Sequence, residues 1–200
     1  LGDRDNILMA VDYCWRIKPG ILVYQTLLWD ELDWAKLFKP WWGNKYVFQT
    51  GVYWVPFTNP KYPDFRVEWT ASRPWVYTHY DSLITYTSAD IGIGFPEGPN
   101  SQLLYVETNW WMSPQSLWRI SYRHLIKGSG LGSNPTHNYN DRDSSLDENT
   151  PPLLGETTVS NKIELRGTYR LSLMLEGFAN ISYQDQTSQA TGQIGFVYNW

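Results

Sequence analysis

Charged side chains recur at every second position in several stretches of the chain. The set comprises Arg66, Glu68, Arg119, Arg123, Glu164, Arg166 and Arg170. Since alternate residues of an extended chain lie on the same side, each stretch gathers its charges on one face. A guanidinium group binds carboxylates through paired hydrogen bonds, so the arginines suit an acidic ligand. An internal ion-pair network would use the same residues.

Aromatic side chains form a second candidate set. They make up 16% of the chain, with 12 Trp and 14 Tyr. A flat aromatic ring has an apolar face that can stack on a sugar ring, and Trp and Tyr keep a polar edge for water. A membrane-interface belt, or a loop that plugs an opening, would use the same residues. The candidates are Trp34, Trp41, Trp42, Trp75, Tyr77 and Tyr80.

Turn-forming residues follow the aromatic segment that contains Trp75, Tyr77 and Tyr80. Gly and Asn tolerate a positive φ, so Gly98-Pro99-Asn100-Ser101 predicts a tight turn that shapes a loop. His79 is far in sequence from His124 and His137. We therefore expect His79 to be a hydrogen-bonded loop residue, with ligand contact through Tyr77 and His79 as the alternative.

The sequence lacks the usual signatures of catalysis and metal binding. No G-x-S-x-G, H-E-x-x-H, P-loop or C-x-x-C motif occurs. Ser121 and His124 are three positions apart, so on one strand they face opposite sides, which argues against a catalytic pair. The segment 141–148 begins like a calcium loop, but Leu146 stands where that loop needs Gly. We predict no enzyme, no cofactor and no metal site.

Alternating hydrophobicity predicts that strands position the candidate residues. Within 161–183 the odd positions from 163 onward are apolar or Gly, and the even positions from 162 to 170 are polar. Because this stretch is too long for one strand, we place a turn at 170–172. The segments 21–29 and 46–55 are apolar on both faces. Packing against a plug or a loop is one explanation for these two segments.

Three features favour a transmembrane barrel over a soluble β-sandwich. Strands of about 10 residues match a tilted bilayer crossing, and a charged face suits a wet lumen. Turns at 18–20 and 113–115 are short while the loop 128–156 is long, which is the barrel pattern of periplasmic turns and external loops. Interfacial girdles would hold the aromatics near strand ends, namely Trp15, Trp29, Trp54, Trp110, Trp111 and Tyr183.

We therefore predict an all-β, antiparallel transmembrane β-barrel of the outer membrane, with about 10 strands of a larger closed barrel. In this count the stretch 82–95 crosses twice. The final residues support the prediction, since Gly195, Tyr198 and Trp200 follow the polar-x-Gly-x-x-aromatic-x-aromatic pattern that resembles the terminal signal of such barrels. The barrel-assembly machinery and outer-membrane lipid are the partners that this pattern implies.

Composition excludes several other classes. The net charge of −4 provides no basic field for a phosphate backbone, so nucleic acid is not an expected partner. Cys14 is the single cysteine, which excludes a disulfide scaffold. The sequence contains no run of about 18 apolar residues, so it predicts no transmembrane helix. Aromatics this abundant exclude a disordered chain.

The middle of the chain carries an ordered series of short motifs. They are Glu68-Trp69-Thr70, Pro74-Trp75-Val76-Tyr77-Thr78-His79, Tyr86-Thr87, Ile91-Gly92-Ile93-Gly94 and Gly98-Pro99-Asn100-Ser101. Together they resemble the core of the Wzi-type capsule assembly protein family, and the resemblance covers residues 5–127. Gln25 stands where an acidic residue is expected on a family strand.

The resemblance implies a plugged outer-membrane barrel with a lectin-like, non-catalytic role: binding and anchoring capsular or other surface polysaccharide. It also implies that residues 1–200 are the C-terminal part of a single, longer barrel domain. An outer-membrane porin or solute channel, and an outer-membrane hydrolase, remain as alternatives. The expected polysaccharide contacts are Arg66, Glu68, Arg119, Arg123, Trp41, Trp42, Trp75, Tyr77 and His79.

Overall fold

The alternating sequences form long antiparallel strands, and the all-β prediction is confirmed. The computed structural model describes residues 7–31, 33–37, 39–57, 62–81, 85–88, 91–172 and 175–198. Its strands are β1 (Leu8–Lys18), β2 (Ile21–Asp30), β3 (Tyr46–Trp54), β4 (Asp64–Ser72), β5 (Thr87–Ser88), β6 (Ile91–Gly92), β7 (Ser101–Ser113), β8 (Ser116–Gly128), β9 (Thr157–Arg170), β10 (Leu175–Gln184) and β11 (Gln189–Tyr198). Nine of them form one open sheet in the order β1-β2-β3-β4-β7-β8-β9-β10-β11.

The stretch 82–95 differs from its prediction. Instead of crossing the sheet twice, its described part contains β5 and β6, which pair only with each other. Positions 82–84 and 89–90 lie outside the described residues. Because β4 pairs directly with β7, the segment 73–100 leaves and re-enters the sheet at the same end. The nine-stranded sheet is open, so closure into a barrel stays a prediction.

The sheet has one apolar face and one polar face. Residues directly opposite each other in antiparallel strands share a face, so the pairing can be followed across all nine strands. One such row on the apolar face is Trp15, Val23, Val52, Val67, Val106, Tyr122, Ile163, Tyr183 and Ala190. The adjacent row on the polar face is Cys14, Tyr24, Gly51, Glu68, Tyr105, Arg123, Lys162, Gln184 and Gln189.

Three long connections gather at one end of the sheet. We call the segments 31–45, 73–100 and 129–156 together the cap. Backbone hydrogen bonds from Trp42 N to Asp147 O (2.9 Å) and from Thr150 N to Pro40 O (2.7 Å) join the first segment to the third, and one from Trp75 N to Gly132 O (3.0 Å) joins the second to the third. The connections that follow β1, β3, β7 and β9 begin at the opposite end, whereas the short turn 185–188 between β10 and β11 lies at the cap end. The three longest connections therefore share one end, and the shorter connections are divided between the two ends.

The cap also explains the two segments that are apolar on both faces. Val47 and Leu28 lie on the polar face, opposite each other on β3 and β2. There they pack against Val76 and Tyr77 of the cap, which are buried. A loop thus covers this end of the polar face, and removing these side chains from water stabilises the arrangement.

The helices in the described part of the chain are short 3₁₀ turns within the cap. They span Trp34–Lys36, Tyr139–Asp141 and Ser144–Leu146. Each begins with a side chain that accepts a hydrogen bond from the backbone two residues later, as Asp33 does from Ala35 N at 2.9 Å. None of the described helices has the length and apolar character needed to cross a membrane.

Candidate functional site

The turn 98–101 holds two loops of the cap together. Asn100 is fully buried and has a φ of 59°. Its side-chain amide donates to Leu154 O at 2.9 Å and accepts from Leu154 N at 2.7 Å. Its backbone N donates to Arg73 O, and its backbone O accepts from Gly128 N. Gly98 is also in the left-handed region, with a φ of 69°, so the turn uses the conformations that Gly and Asn tolerate.

Trp75 and Tyr77 are interior residues of the cap rather than exposed ligand contacts. Each is 2% exposed, so neither ring offers a face to a sugar. A Cβ on Gly132 would lie 2.6 Å from the Trp75 ring, and one on Gly94 would lie 2.2 Å from the Tyr77 ring. The Tyr77 hydroxyl accepts a hydrogen bond from Phe95 N at 3.0 Å, and burial raises its pKa. This corrects the expectation that both rings contact polysaccharide.

His79 is likewise a buried residue of the cap. Its Nδ1 accepts a hydrogen bond from Asp81 N at 3.1 Å. Its ring lies 4.3 Å from Tyr80 and 5.7 Å from Tyr139, measured between centroids. His79 therefore positions neighbouring aromatic rings.

Trp42 lies in a cluster of rings and cations. The guanidinium of Arg142 is 3.8 Å from the centroid of the Trp42 ring, which is within the range of a cation–π contact. Arg142 is in turn held by two hydrogen bonds to Asp147, at 2.8 and 3.0 Å. Lys45, whose side chain is fully buried, lies 5.3 Å from the centroid of the Trp42 ring and 4.3 Å from that of the Tyr139 ring. These contacts fix Trp42 within the cap.

Trp34 and Trp41 line an open cleft of about 480 Å³ at the edge of the cap. Trp29, Glu31 and Asp33 line the same cleft. Trp34 is 77% exposed, so its ring is available to a ligand. Aromatic faces beside carboxylates combine ring stacking with hydrogen-bond acceptors for hydroxyl groups. This cleft is the candidate sugar site, because two of its three tryptophans belong to the predicted set.

The predicted arginines of the polar face are mostly neutralised by neighbouring acids. Arg66 contacts Glu68 at 2.5 Å and donates to the Tyr24 hydroxyl at 2.9 Å. Arg119 lies 3.3 Å from Glu107, and Arg123 forms an ion pair with Glu97. Arg66, Glu68, Arg119 and Arg123 thus form ion-pair networks within the chain.

Arg166 and Arg170 have no ion-pair partner among the described residues. Both line a cleft of about 240 Å³ on the polar face, together with Arg119 and Trp111. Arg166 is directly opposite Arg119 in the β8–β9 pairing, so two like charges share a face. Trp111 was predicted to join an interfacial girdle, but its pairing with Leu117 places it on the polar face.

The residues considered for catalysis and metal binding are not assembled into a site. Ser121 lies on the polar face, opposite Glu107. His124 lies on the apolar face, and its Nδ1 is 2.8 Å from Asn161 Oδ1. Among the described residues, no group of three or more His, Cys, Asp or Glu side chains could hold a metal ion.

The terminal signal is described in part. Gly195 packs against Phe178, since a Cβ at this glycine would lie 2.8 Å from the Phe178 ring. Tyr198 pairs with Leu175 at the end of β11, and Trp200 lies outside the described residues.

Comparison of the sequence with models of protein families, and with curated proteins, found no match. The resemblance to the Wzi-type family therefore stays a prediction.

Proposed function

We propose that this chain is part of an outer-membrane β-barrel that binds and anchors capsular or other surface polysaccharide without catalysing a reaction. The observation that carries the proposal is the continuous apolar face of the nine-stranded sheet. Large side chains on this face are exposed, for example Ile194 at 86%, Phe196 at 70% and Ile181 at 61%. An exposed apolar surface of this extent is unfavourable in water and suits lipid.

The two ends of the sheet support one orientation in that membrane. Outer-membrane barrels have short turns on the periplasmic side and longer loops outside. With this orientation the cap is external, and the cleft of Trp34 and Trp41 lies at the membrane surface, where the cap meets the Met9 and Trp29 end of the apolar face. The ligand class comes from the motif series that resembles the capsule assembly proteins, and the aromatic rings and carboxylates of the cleft suit it.

A double variant tests the cleft as the polysaccharide site. Trp34→Ala with Trp41→Ala removes two stacking surfaces, which should weaken binding by about tenfold or more. Binding of purified surface polysaccharide to the detergent-solubilised chain measures the effect. Trp54→Ala is the matched control, because Trp54 is an exposed tryptophan at the other end of the sheet. Equal affinities for the double variant and the control would refute this site.

A solute channel is the second candidate function, and one observation favours it. Glu176 lines the same cleft opposite Arg170, but Arg166 and Arg170 outnumber it and leave net positive charge there, which would suit passage of anions. The cap covers one end of that face, and this favours a binding protein over a channel. Conductance in planar bilayers distinguishes the two: anion-selective current supports a channel, and its absence with retained polysaccharide binding supports the first proposal.

A further inference from the structure

A groove runs along the apolar face where the sheet meets the cap. Its volume is about 490 Å³, within the range of roughly 300–1,000 Å³ that is usual for ligand sites. Leu27, Phe48 and Trp69 line it from the strands, and Leu37 and Pro152 line it from the cap. These side chains make most of the groove apolar, so a hydrocarbon chain would fit its walls.

A buried cation lies at the cap end of this groove. Arg73 is one of the lining residues and is 9% exposed. Its two terminal nitrogens donate to carbonyl oxygens of Thr150 and Trp41 at 3.3–3.4 Å. No carboxylate of the described residues forms an ion pair with it, and its Nε has no hydrogen-bond partner. Burial lowers its pKa. The guanidinium carbon of Arg73 lies 6.0 Å from the centroid of the Tyr46 ring.

A buried charge without a counter-ion is nevertheless expensive, because the protein interior solvates it poorly. Arg73 is therefore better explained if an anion binds beside it. Asn44 lines the same groove and is 3% exposed. Its Nδ2 donates to Lys36 O and Lys39 O, both at 2.7 Å, while its Oδ1 has no partner. Ser72 also lines the groove and its hydroxyl has no partner among the described residues, so the lining leaves three polar groups unused: the Arg73 Nε donor, the Asn44 Oδ1 acceptor and the Ser72 hydroxyl.

We propose that this groove binds one acyl chain of an anionic phospholipid whose phosphate pairs with Arg73. The proposal rests on the membrane location given under the proposed function, but not on polysaccharide binding. A free phosphate would leave the apolar walls unoccupied, and a lipid without a phosphate, such as diacylglycerol, would leave Arg73 without a counter-ion. Asn44 Oδ1 can accept a hydrogen bond from a hydroxyl of the headgroup, as phosphatidylglycerol offers.

Native mass spectrometry of the full chain in maltoside micelles tests the groove. The chain is mixed with equal amounts of phosphatidylglycerol and diacylglycerol that have identical acyl chains. We expect bound phosphatidylglycerol to exceed diacylglycerol by about tenfold, and Arg73→Gln to abolish the preference. Arg142→Gln is the matched control, because it removes a cap arginine that is paired with Asp147 and does not line the groove.

A second variant keeps the test informative if Arg73→Gln loosens the cap. Ala71→Trp fills the groove and leaves Arg73 in place, so it should reduce bound phosphatidylglycerol by about tenfold. Ala179→Trp, at an exposed position elsewhere on the apolar face, should leave binding unchanged. Equal binding of both lipids to the wild type, or full binding to Ala71→Trp, would overturn the proposal.

Two further measurements distinguish lipid binding from binding of a free anion, and failure of this inference from failure of the membrane location. If inorganic phosphate alone removes the lipid preference, Arg73 binds a free anion and the lipid proposal is wrong. A chain that inserts into vesicles but shows no lipid preference overturns this inference while leaving the membrane location intact. A chain that stays in the aqueous phase overturns both.

Discussion

At the scale of single residues, Asn100 joins two loops of the cap through its side chain. It is fully buried, and its amide makes two hydrogen bonds to the backbone of Leu154. Asn100→Ala would leave both groups of Leu154 unpaired, which should lower the free energy of unfolding by about 2–4 kcal/mol. Urea titration of the detergent-solubilised chain measures this change. Asn140→Ala, at an exposed position of the cap, should change the free energy by less than about 0.5 kcal/mol.

Asp185 gives a residue-scale prediction of pH dependence. Its carboxylate accepts hydrogen bonds from Asn161 N at 2.8 Å and from Asn161 Nδ2 at 2.6 Å, and these bonds lower its pKa below 3.8. Because the folded chain holds the ionised form more tightly, this contribution is present above the unfolded pKa and is lost as the pH falls through the folded value.

The expected result is a stability difference between wild type and Asp185→Asn at neutral pH that shrinks at strongly acidic pH. Unfolding free energies measured from neutral to strongly acidic pH give this comparison. Gln186→Asn, an exposed neighbour, should follow the wild-type curve. A difference that is constant across this range would contradict the assigned role of the carboxylate.

The residue scale also shows which parts of the site were predictable. Gly98 and Asn100 could be assigned to a turn because few residue types tolerate a positive φ. The burial of Trp75 and Tyr77 could not be deduced, because their contacts are with distant glycines of the chain. Trp111 could have been placed on the polar face, since it follows Trp110 and adjacent strand residues face opposite sides.

At the scale of elements, alternation predicted strands well where one face is polar. The turn expected at 170–172 falls between β9 and β10. Alternation failed for the segments 21–29 and 46–55, because the cap buries part of their polar face. It also could not show that β4 pairs with β7 across the intervening loop, since pairing depends on the whole sheet.

Gly51 offers a test of how tightly β2 and β3 pack on the polar face. A Cβ at this position would lie 2.3 Å from the Tyr24 ring. Tyr24 cannot move freely, because its hydroxyl donates to Glu68 at 2.6 Å and accepts from Arg66 at 2.9 Å. Gly51→Ala should therefore lower the free energy of unfolding by about 1–3 kcal/mol.

Gly192→Ala is the matched control for this substitution. It is also a strand glycine, and the nearest atom to its Cβ would be 3.9 Å away. Chemical denaturation of both variants gives the comparison. If the two glycines tolerate alanine equally, Tyr24 is not fixed by its hydrogen bonds.

At the scale of the whole molecule, the nine strands share one division into two faces. Loop lengths predicted that the three longest connections lie at one end, but they could not place the short turn 185–188 at that end, since antiparallel pairing alone makes the ends alternate. The strand number was less predictable, since the short β5 and β6 resemble sheet strands in sequence but belong to the cap. The two-faced sheet leads to a direct test of the proposed membrane location.

Gln193 and Ile194 are adjacent on β11 and both exposed, but they lie on opposite faces. In a Cys14→Ser background, which removes the single natural cysteine, each can be replaced by Cys. In lipid vesicles Gln193→Cys should react with a water-soluble maleimide at least about tenfold faster than Ile194→Cys, because lipid would cover only the apolar face. In urea the two rates should converge. Equal rates in vesicles would mean that lipid does not cover the apolar face, and the membrane location would then be wrong.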